Sequence, residues 1–166
     1  MIEHLKEVQE ILKENDGSLP DIEINEIKGE EVVRAYEIVR DASENLTSEE
    51  CYYWSLRHNK DINIKYGDNP ASLVISEEAE PFHVCFDGTV SPTGKKIPVL
   101  GVFVFHESFN IDIRMGPEWT LEAIEGLFEL IKKITKNCSN YELKHSGNIF
   151  DEDGIFERVW EIYKDA

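Results

Sequence analysis

The chain has 166 residues, of which 41% are hydrophobic and 10% aromatic. Asp and Glu number 34 against 17 Lys and Arg, which gives a net charge of −17 at pH 7. A field of this sign repels nucleic acid and anionic membranes and attracts basic partners. The apolar content suffices for a folded core, so the composition excludes global disorder and predicts one α+β domain over residues 1–166.

The first residues lack the basic segment and apolar run of a secretory signal. Cys51, Cys85 and Cys138 are odd in number and form no CxxC motif, which suits reduced thiols. We therefore expect a cytoplasmic protein. We expect it to bind no nucleic acid, no membrane and no cofactor, while its oligomeric state stays open.

The first forty residues predict two helices joined by a short strand. Residues 1–15 carry apolar side chains at helical spacing, and the sequence leaves open whether this helix packs on the core or is peripheral. Ile22 and Ile24 alternate with acidic residues and predict a strand. Gly29 then opens a helix that extends to about Ala42.

The next segment allows two interpretations. Residues 47–50 (Thr-Ser-Glu-Glu) fit a capping box, in which the hydroxyl accepts from the fourth residue's backbone N–H and the last carboxylate reaches back. A short helix through Tyr53 and Trp54 would follow. Both aromatic residues suit a strand equally well.

The middle of the chain predicts a series of strands. Apolar residues alternate with polar ones in Ile62–Tyr66, Leu73–Ile75 and Phe82–Phe86. Val99–His106 is nearly continuously apolar, which predicts a central strand buried on both faces. Alternation resumes in Phe109–Met115, and the short connections favour an antiparallel meander. The polar residues of this last strand face away from the core: Asn110, Asp112 and Arg114.

The C-terminal third predicts a helix, a strand and a second helix. Thr120 is a good N-cap for a helix with a broad apolar stripe, and a strand follows around Tyr141–His145. A final helix begins at about Asp153. The predicted fold class is therefore α+β, with a mainly antiparallel meander sheet of about five to six strands and helices packed on one face.

Several acidic clusters, and an aromatic residue in a turn, are candidates for binding a basic partner. Each cluster taken singly has the ordinary role of a solvated face or a helix cap. Trp119 is either buried at the core edge, which is the commoner fate, or exposed as an aromatic anchor. The predicted partner-binding residues are Glu77, Glu78, Glu80, Trp119, Asp151, Glu152 and Asp153.

An enzymatic alternative rests on His83, Cys85 and Asp87, which alternation places on one face of a strand. Imidazole, thiolate and carboxylate can together bind zinc. Residues two apart on a strand are separated by about 7 Å, so one ion would need further ligands such as His106 or His145. The simpler interpretation is a half-exposed strand face with an inert thiol.

A second enzymatic arrangement combines Cys138 as nucleophile, His145 as base and Asp151 as the group that orients the base. Any chain with three Cys and five His offers such a triple. Activated thiols need positively charged surroundings, and this acidic sequence gives no sign of them.

The sequence thus favours a binding protein without catalytic residues or a metal site. We expect an immunity-type inhibitor that neutralises a basic partner such as a bacterial toxin, with carboxylates where a nuclease would bind phosphates. The alternatives are a metal-dependent or thiol hydrolase using the His83/Cys85/Asp87 strand face, and a regulatory domain with no catalytic role.

Overall fold

A computed structural model describes residues 1–47 and 50–166. Within these residues, a six-stranded antiparallel sheet carries helices on one face, and two further strands form a separate hairpin. The helices are α1 (Ile2–Leu12), α2 (Gly29–Asp41), α3 (Ala71–Ile75), α4 (Leu121–Thr135) and α5 (Ile155–Lys164). The strands are β1 (Asp21–Asn25), β2 (Asn45–Leu46), β3 (Tyr52–Ser55), β4 (Lys60–Asn63), β5 (Phe82–Asp87), β6 (Leu100–Val104), β7 (Phe109–Ile113) and β8 (Glu142–Ser146).

The strand order of the main sheet is β2-β5-β6-β7-β1-β8, and every neighbouring pair is antiparallel. Strands β5, β6 and β7 form the predicted meander. Strand β1 lies between β7 and β8, which brings the two ends of the chain together in the sheet. The predicted α+β class, with an antiparallel sheet and helices on it, is confirmed.

Alternation along the strands places one set of side chains against the helices. Ile22, Val84, Val102 and Ile111 are each no more than 1% exposed and share one core with the helices. Burial of this apolar surface is the main favourable contribution to folding.

Helix α1 packs on the core, a question that the sequence left open. Its Leu5, Val8, Ile11 and Leu12 are buried, and the helix contacts α4 and α5. Thr120 caps α4 as predicted, since its hydroxyl accepts a hydrogen bond from the backbone N–H of Ala123 at 3.2 Å. No helix within residues 1–47 and 50–166 is long and apolar enough to cross a membrane.

Two local predictions differ from the structure. The predicted strand at Leu73–Ile75 is wrong, because helix α3 occupies this segment. Pro70 stands at its N-cap position, and the Asn69 side chain accepts from the backbone N–H of Ala71 at 3.2 Å, which starts a helical turn. Of the two interpretations for the aromatic segment, the strand is confirmed, as β3 pairs with β4.

The predicted capping box spans residues 47–50, and its Ser48 and Glu49 lie outside the described residues.

Strand β6 is central, as predicted, but the prediction that it is buried on both faces is wrong. Leu100, Val102 and Val104 are fully buried beneath the helices. On the opposite side Phe103 is only partly buried, and Val99 just before the strand is 49% exposed. This apolar strand therefore presents an aromatic side chain to the face that the helices leave open.

Candidate functional site: the open face of the sheet

The outward side chains of the main sheet form a broad surface opposite the helices. Apart from Gly101, each of them is exposed or partly exposed, and within the described part of the chain no helix covers them. We call this surface the open face. It consists of His83, Cys85, Asp87, Gly101, Phe103, Asn110, Asp112, Asp21, Glu23, Asn25, Glu142, Lys144 and Ser146, with Phe105 and Arg114 at the strand ends.

Negative charge predominates on the open face. Five carboxylates stand against two permanently charged bases, Arg114 and Lys144. The carboxylates are Asp21, Glu23, Asp87, Asp112 and Glu142. Part of the charge of the whole chain is thus displayed on one surface of defined geometry, which favours association with a positively charged surface.

Asp112 reaches across β6 because the residue between it and β5 is Gly101. A Cβ atom at Gly101 would lie 2.3 Å from both carboxylate oxygens of Asp112, so only glycine leaves room for this carboxylate. Asp112 Oδ2 lies 2.6 Å from Nε2 of His83. The hydrogen bond that the imidazole donates to Asp112 raises the pKa of His83 against the opposing effect of burial, so the imidazole is protonated to a higher pH than usual.

Asp21 stands directly opposite Asp112 in the antiparallel ladder. Like charges that face each other across two strands destabilise a sheet. Burial, followed by the charges of Asp112 and Glu23, raises the pKa of Asp21. The centre of the open face thus holds an excess of negative charge that a cation from outside would relieve.

Three rings form a row beside these carboxylates. The ring centroids of Phe103 and Phe105 are 4.9 Å apart at an interplanar angle of 10°, and His83 lies 5.1 Å from Phe103. We call these three residues the aromatic row. In the ladder Phe103 pairs with His83 on one side and with Asn110 on the other, so the row lies on β5 and β6 in the middle of the sheet.

A recess of about 520 Å³ lies over the open face, and its lining includes His83, Cys85, Gly101 and Asp112. Its rim includes Leu19 from the α1–β1 loop and Val99 from the β5–β6 loop. Glu118 adds a carboxylate to its wall and Arg114 a guanidinium, so the walls carry both signs of charge. The volume is in the range of a small-ligand pocket.

The structure separates the seven predicted partner-binding residues onto three segments. Glu77, Glu78 and Glu80 lie between α3 and β5, and all are exposed or partly exposed. Glu152 and Asp153 are exposed in the turn before α5. These five residues lie outside the open face, and their role in binding remains a prediction.

Trp119 is fully buried, so the prediction of an exposed anchor is wrong at this position. Its indole N–H donates to the backbone carbonyl of Arg114 at 2.8 Å, which satisfies the polar group inside the core. Trp119 is thus buried in the core, which is the commoner fate of such a residue.

Asp151 is also unsuited to contact a partner, because its side chain is 2% exposed. Its carboxylate accepts from His145 Nδ1 at 2.7 Å and from the backbone N–H groups of Ile155 and Phe156 at 2.5 and 3.1 Å. Burial would raise the pKa of Asp151, but these hydrogen bonds outweigh it and lower the pKa. The residue fixes the start of α5 from within the protein.

The strand face proposed for a hydrolase exists, but its groups are engaged elsewhere. His83 pairs with Asp112, and Asp87 accepts from the Asn45 side chain at 2.7 Å. Burial and the charge of Asp112 raise the pKa of Cys85, which disfavours a thiolate. Among the residues that the structure describes, no group of three or more His, Cys, Asp or Glu side chains is placed to hold a metal ion.

The second enzymatic arrangement is present only in part. His145 and Asp151 are hydrogen-bonded, but their side chains are 1% and 2% exposed and substrate cannot reach them. The Cys138 thiol donates to the carbonyl of Ile134 at 3.6 Å, and burial raises its pKa to about 11. The pair therefore serves the fold rather than a reaction.

Sequence reasoning missed the central members of the open face. Alternation in β7 did place Asp112 outward. Nothing in the sequence placed Asp21 opposite it, since that depends on β1 inserting beside β7. Phe103 and Phe105 were hidden in an apolar run that predicted burial on both sides.

Comparison with known proteins adds one finding. No protein-family model and no curated protein matches the chain. Among solved structures, it is similar to a chain in the crystal structure of the toxic C-terminal tip of CdiA from Pseudomonas aeruginosa in complex with immune protein. The TM-score is 0.51 at 12% identity, over 81% of this chain and 89% of that chain. At this identity the similarity shows a shared fold.

Proposed function

We propose that this protein is an immunity-type inhibitor that binds and neutralises a basic protein toxin in the cytoplasm. The observation that carries the proposal is the fold similarity to a chain from a complex of a toxin tip with its immune protein. The similarity covers most of both chains, so it concerns the whole architecture rather than one motif.

Charge favours the role of the immune protein over that of the toxin. A net charge of −17 suits a protein that covers a positively charged surface. A toxin that attacks nucleic acid would itself need positive charge to approach its substrate. The charge would accelerate encounter with the toxin, and packing at the interface would set the lifetime of the complex.

A non-catalytic mechanism agrees with the state of the reactive groups. The Cys85 thiol is held away from the thiolate form, and the His83 imidazole is occupied by Asp112. Inhibition would then proceed by occlusion, with carboxylates placed where the toxin would bind an anionic substrate.

The test begins with affinity capture from the native source and continues with the captured protein itself. We expect a basic partner whose expression arrests growth of a bacterial host, and we expect co-expression of this chain to restore growth. An unrelated acidic protein of similar size and net charge serves as control and should not restore it.

Salt dependence supplies the second measurement. The dissociation constant of the complex should rise steeply between 50 and 300 mM NaCl, by about tenfold or more, because surface charges are screened over about 10 Å at 0.1 M salt. A captured partner that is harmless, or a toxin that this chain does not neutralise, would refute the proposal.

A further inference from the structure

The open face carries aromatic rings where a solvent-facing strand ordinarily carries polar residues. The outward positions of β7, β1 and β8 are polar, in keeping with a sheet that has one solvated face. Phe103 and Phe105 depart from this pattern, and their rings are stacked and only partly buried. Rings gathered in this way on a folded surface are typical of a binding interface.

Carboxylates border the rings on the next two strands of the sheet, β7 and β1. Asp112 lies on β7, the strand next to Phe103, and Asp21 stands on β1 opposite Asp112. Adjacent strands are separated by about 4.8 Å, so a group placed over Phe103 is within reach of Asp112. Asn110, the ladder partner of Phe103, has a buried side-chain oxygen without a hydrogen-bond partner among the described residues.

This combination suits a guanidinium group better than an ammonium group. The planar guanidinium stacks on an aromatic face and offers two parallel N–H donors to a carboxylate at its edge. A lysine ammonium satisfies the same charge but stacks poorly and is strongly hydrated. Aromatic rings bordered by carboxylates thus select arginine among basic side chains.

We propose that the open face is the docking surface for an arginine-bearing segment of a basic protein partner. A guanidinium group stacks on Phe103 and pairs with Asp112, and Asp21 adds attraction from the next strand. This inference rests on the proposed function for the identity of the partner as a toxin, and it adds the surface and the side chain that the surface recognises.

Arg114 provides an internal check because it is a cation at the edge of the same surface. Only Ile113 separates it from Asp112 in the sequence, and it lines the same recess as Asp112. Its charge opposes the approach of a second guanidinium. The proposal therefore requires that Arg114→Gln strengthen binding, whereas most substitutions on a docking surface weaken it.

The first experiment uses two probes of equal length and charge, a hexa-arginine peptide and a hexa-lysine peptide. Each is titrated into the ¹⁵N-labelled protein at fixed ionic strength, and amide chemical shifts report the site. We expect hexa-arginine to shift the amides of Phe103, Phe105 and Asp112 most. We expect it to bind roughly two- to fivefold tighter than hexa-lysine, from the strength of exposed cation–π contacts.

Variants then distinguish the contributions of the aromatic ring, of the Asp112 charge and of general acidity to peptide binding. Phe103→Leu keeps an apolar side chain without a π face and should abolish the preference for arginine, and Asp112→Asn should weaken both peptides. The matched control removes three charges elsewhere, in the triple variant E77Q/E78Q/E80Q, and should preserve the preference. Thermal unfolding confirms that each variant is folded, and Phe105→Leu replaces Phe103→Leu if the latter is not.

Three results would overturn the inference. They are equal affinity for the two peptides, amide shifts spread over all acidic segments, and an arginine preference that survives the loss of the ring. The first two would mean that the surface acts only as a general polyanion.

Failure here is distinguishable from failure of the proposed function. If Phe103→Leu and Asp112→Asn neutralise the captured toxin as well as the natural sequence does, the docking surface is wrong while the inhibitor function stands. If the peptides map to the open face but the captured partner is not a toxin, the docking surface stands and the inhibitor function is wrong.

Discussion

Replacement of Asp151 by alanine tests whether this acidic residue belongs to the fold or to an interface. Its buried carboxylate accepts hydrogen bonds from His145 and from two backbone N–H groups at the start of α5. Loss of an acceptor at a helix N-terminus costs about 1 kcal/mol. The buried Nδ1 group of His145, left without its partner, costs about 1–3 kcal/mol more. We therefore expect Asp151→Ala to lower the free energy of unfolding by about 3 kcal/mol.

Urea denaturation at pH 7, followed by far-UV circular dichroism, measures this loss. The matched control is Asp153→Ala, which removes an exposed carboxylate from the same turn and should change the free energy of unfolding by less than about 0.5 kcal/mol. If the two variants are equally stable, the buried hydrogen bonds of Asp151 do not hold the helix and our reasoning is refuted.

The pH dependence gives a second, independent check on Asp151. Its pKa is lowered in the folded state, so its stabilising effect is fully present above the pKa of about 4 that the unfolded chain has. The effect is lost as the pH falls through the lower folded-state pKa. The difference between the natural sequence and Asp151→Ala should accordingly narrow at acidic pH, and a difference that grows there would contradict the assignment.

Two further predictions concern other carboxylates. Gly101→Ala should displace the Asp112 carboxylate, because its oxygens would lie 2.3 Å from the new Cβ. The pKa of His83 should then fall toward its ordinary value. An NMR titration of the imidazole that finds the same pKa in the variant would show that Asp112 does not raise the pKa of His83. Burial opposes ionisation of Glu129, but hydrogen bonds, from Lys95 Nζ at 2.6 Å and from neighbouring groups, lower its pKa to about 2. Glu129→Gln should therefore lower the free energy of unfolding by about 1 kcal/mol at pH 7. In urea unfolding, the difference in free energy between the natural sequence and the variant should shrink as the pH falls from about 4 to 2. A difference that stays constant over this range would argue against an ionic contribution.

Local patterns in the sequence predicted most of the elements. The alternation in β5 and β7 and the apolar stripe of α4 each specify an element through spacing alone, because side chains repeat every second residue in a strand and every 3.6 residues in a helix. Prediction failed at Leu73–Ile75. The alternation of a few residues there favoured a strand, but Asn69 and Pro70 start a helical turn, and a helix forms.

The candidate site was less accessible to prediction, because it depends on which strands become neighbours. Asp21 and Asp112 are 91 positions apart in the sequence, and they face each other only because β1 inserts between β7 and β8. The role of Asp151 also depends on the tertiary structure. Composition alone places it in an acidic surface cluster, whereas its hydrogen bonds to His145 and Ile155 show that its carboxylate is structural.

By itself, the sequence determined the net charge, the α+β class and the positions of the main helices and strands, because these follow from composition and short-range periodicity. Only the tertiary structure decided that Trp119 and Asp151 are internal and that Phe103 and Phe105 face outward. The physical reason is that an apolar strand is compatible with one buried face or two. Which of these occurs depends on whether helices pack on both sides of the sheet, and here they pack on one.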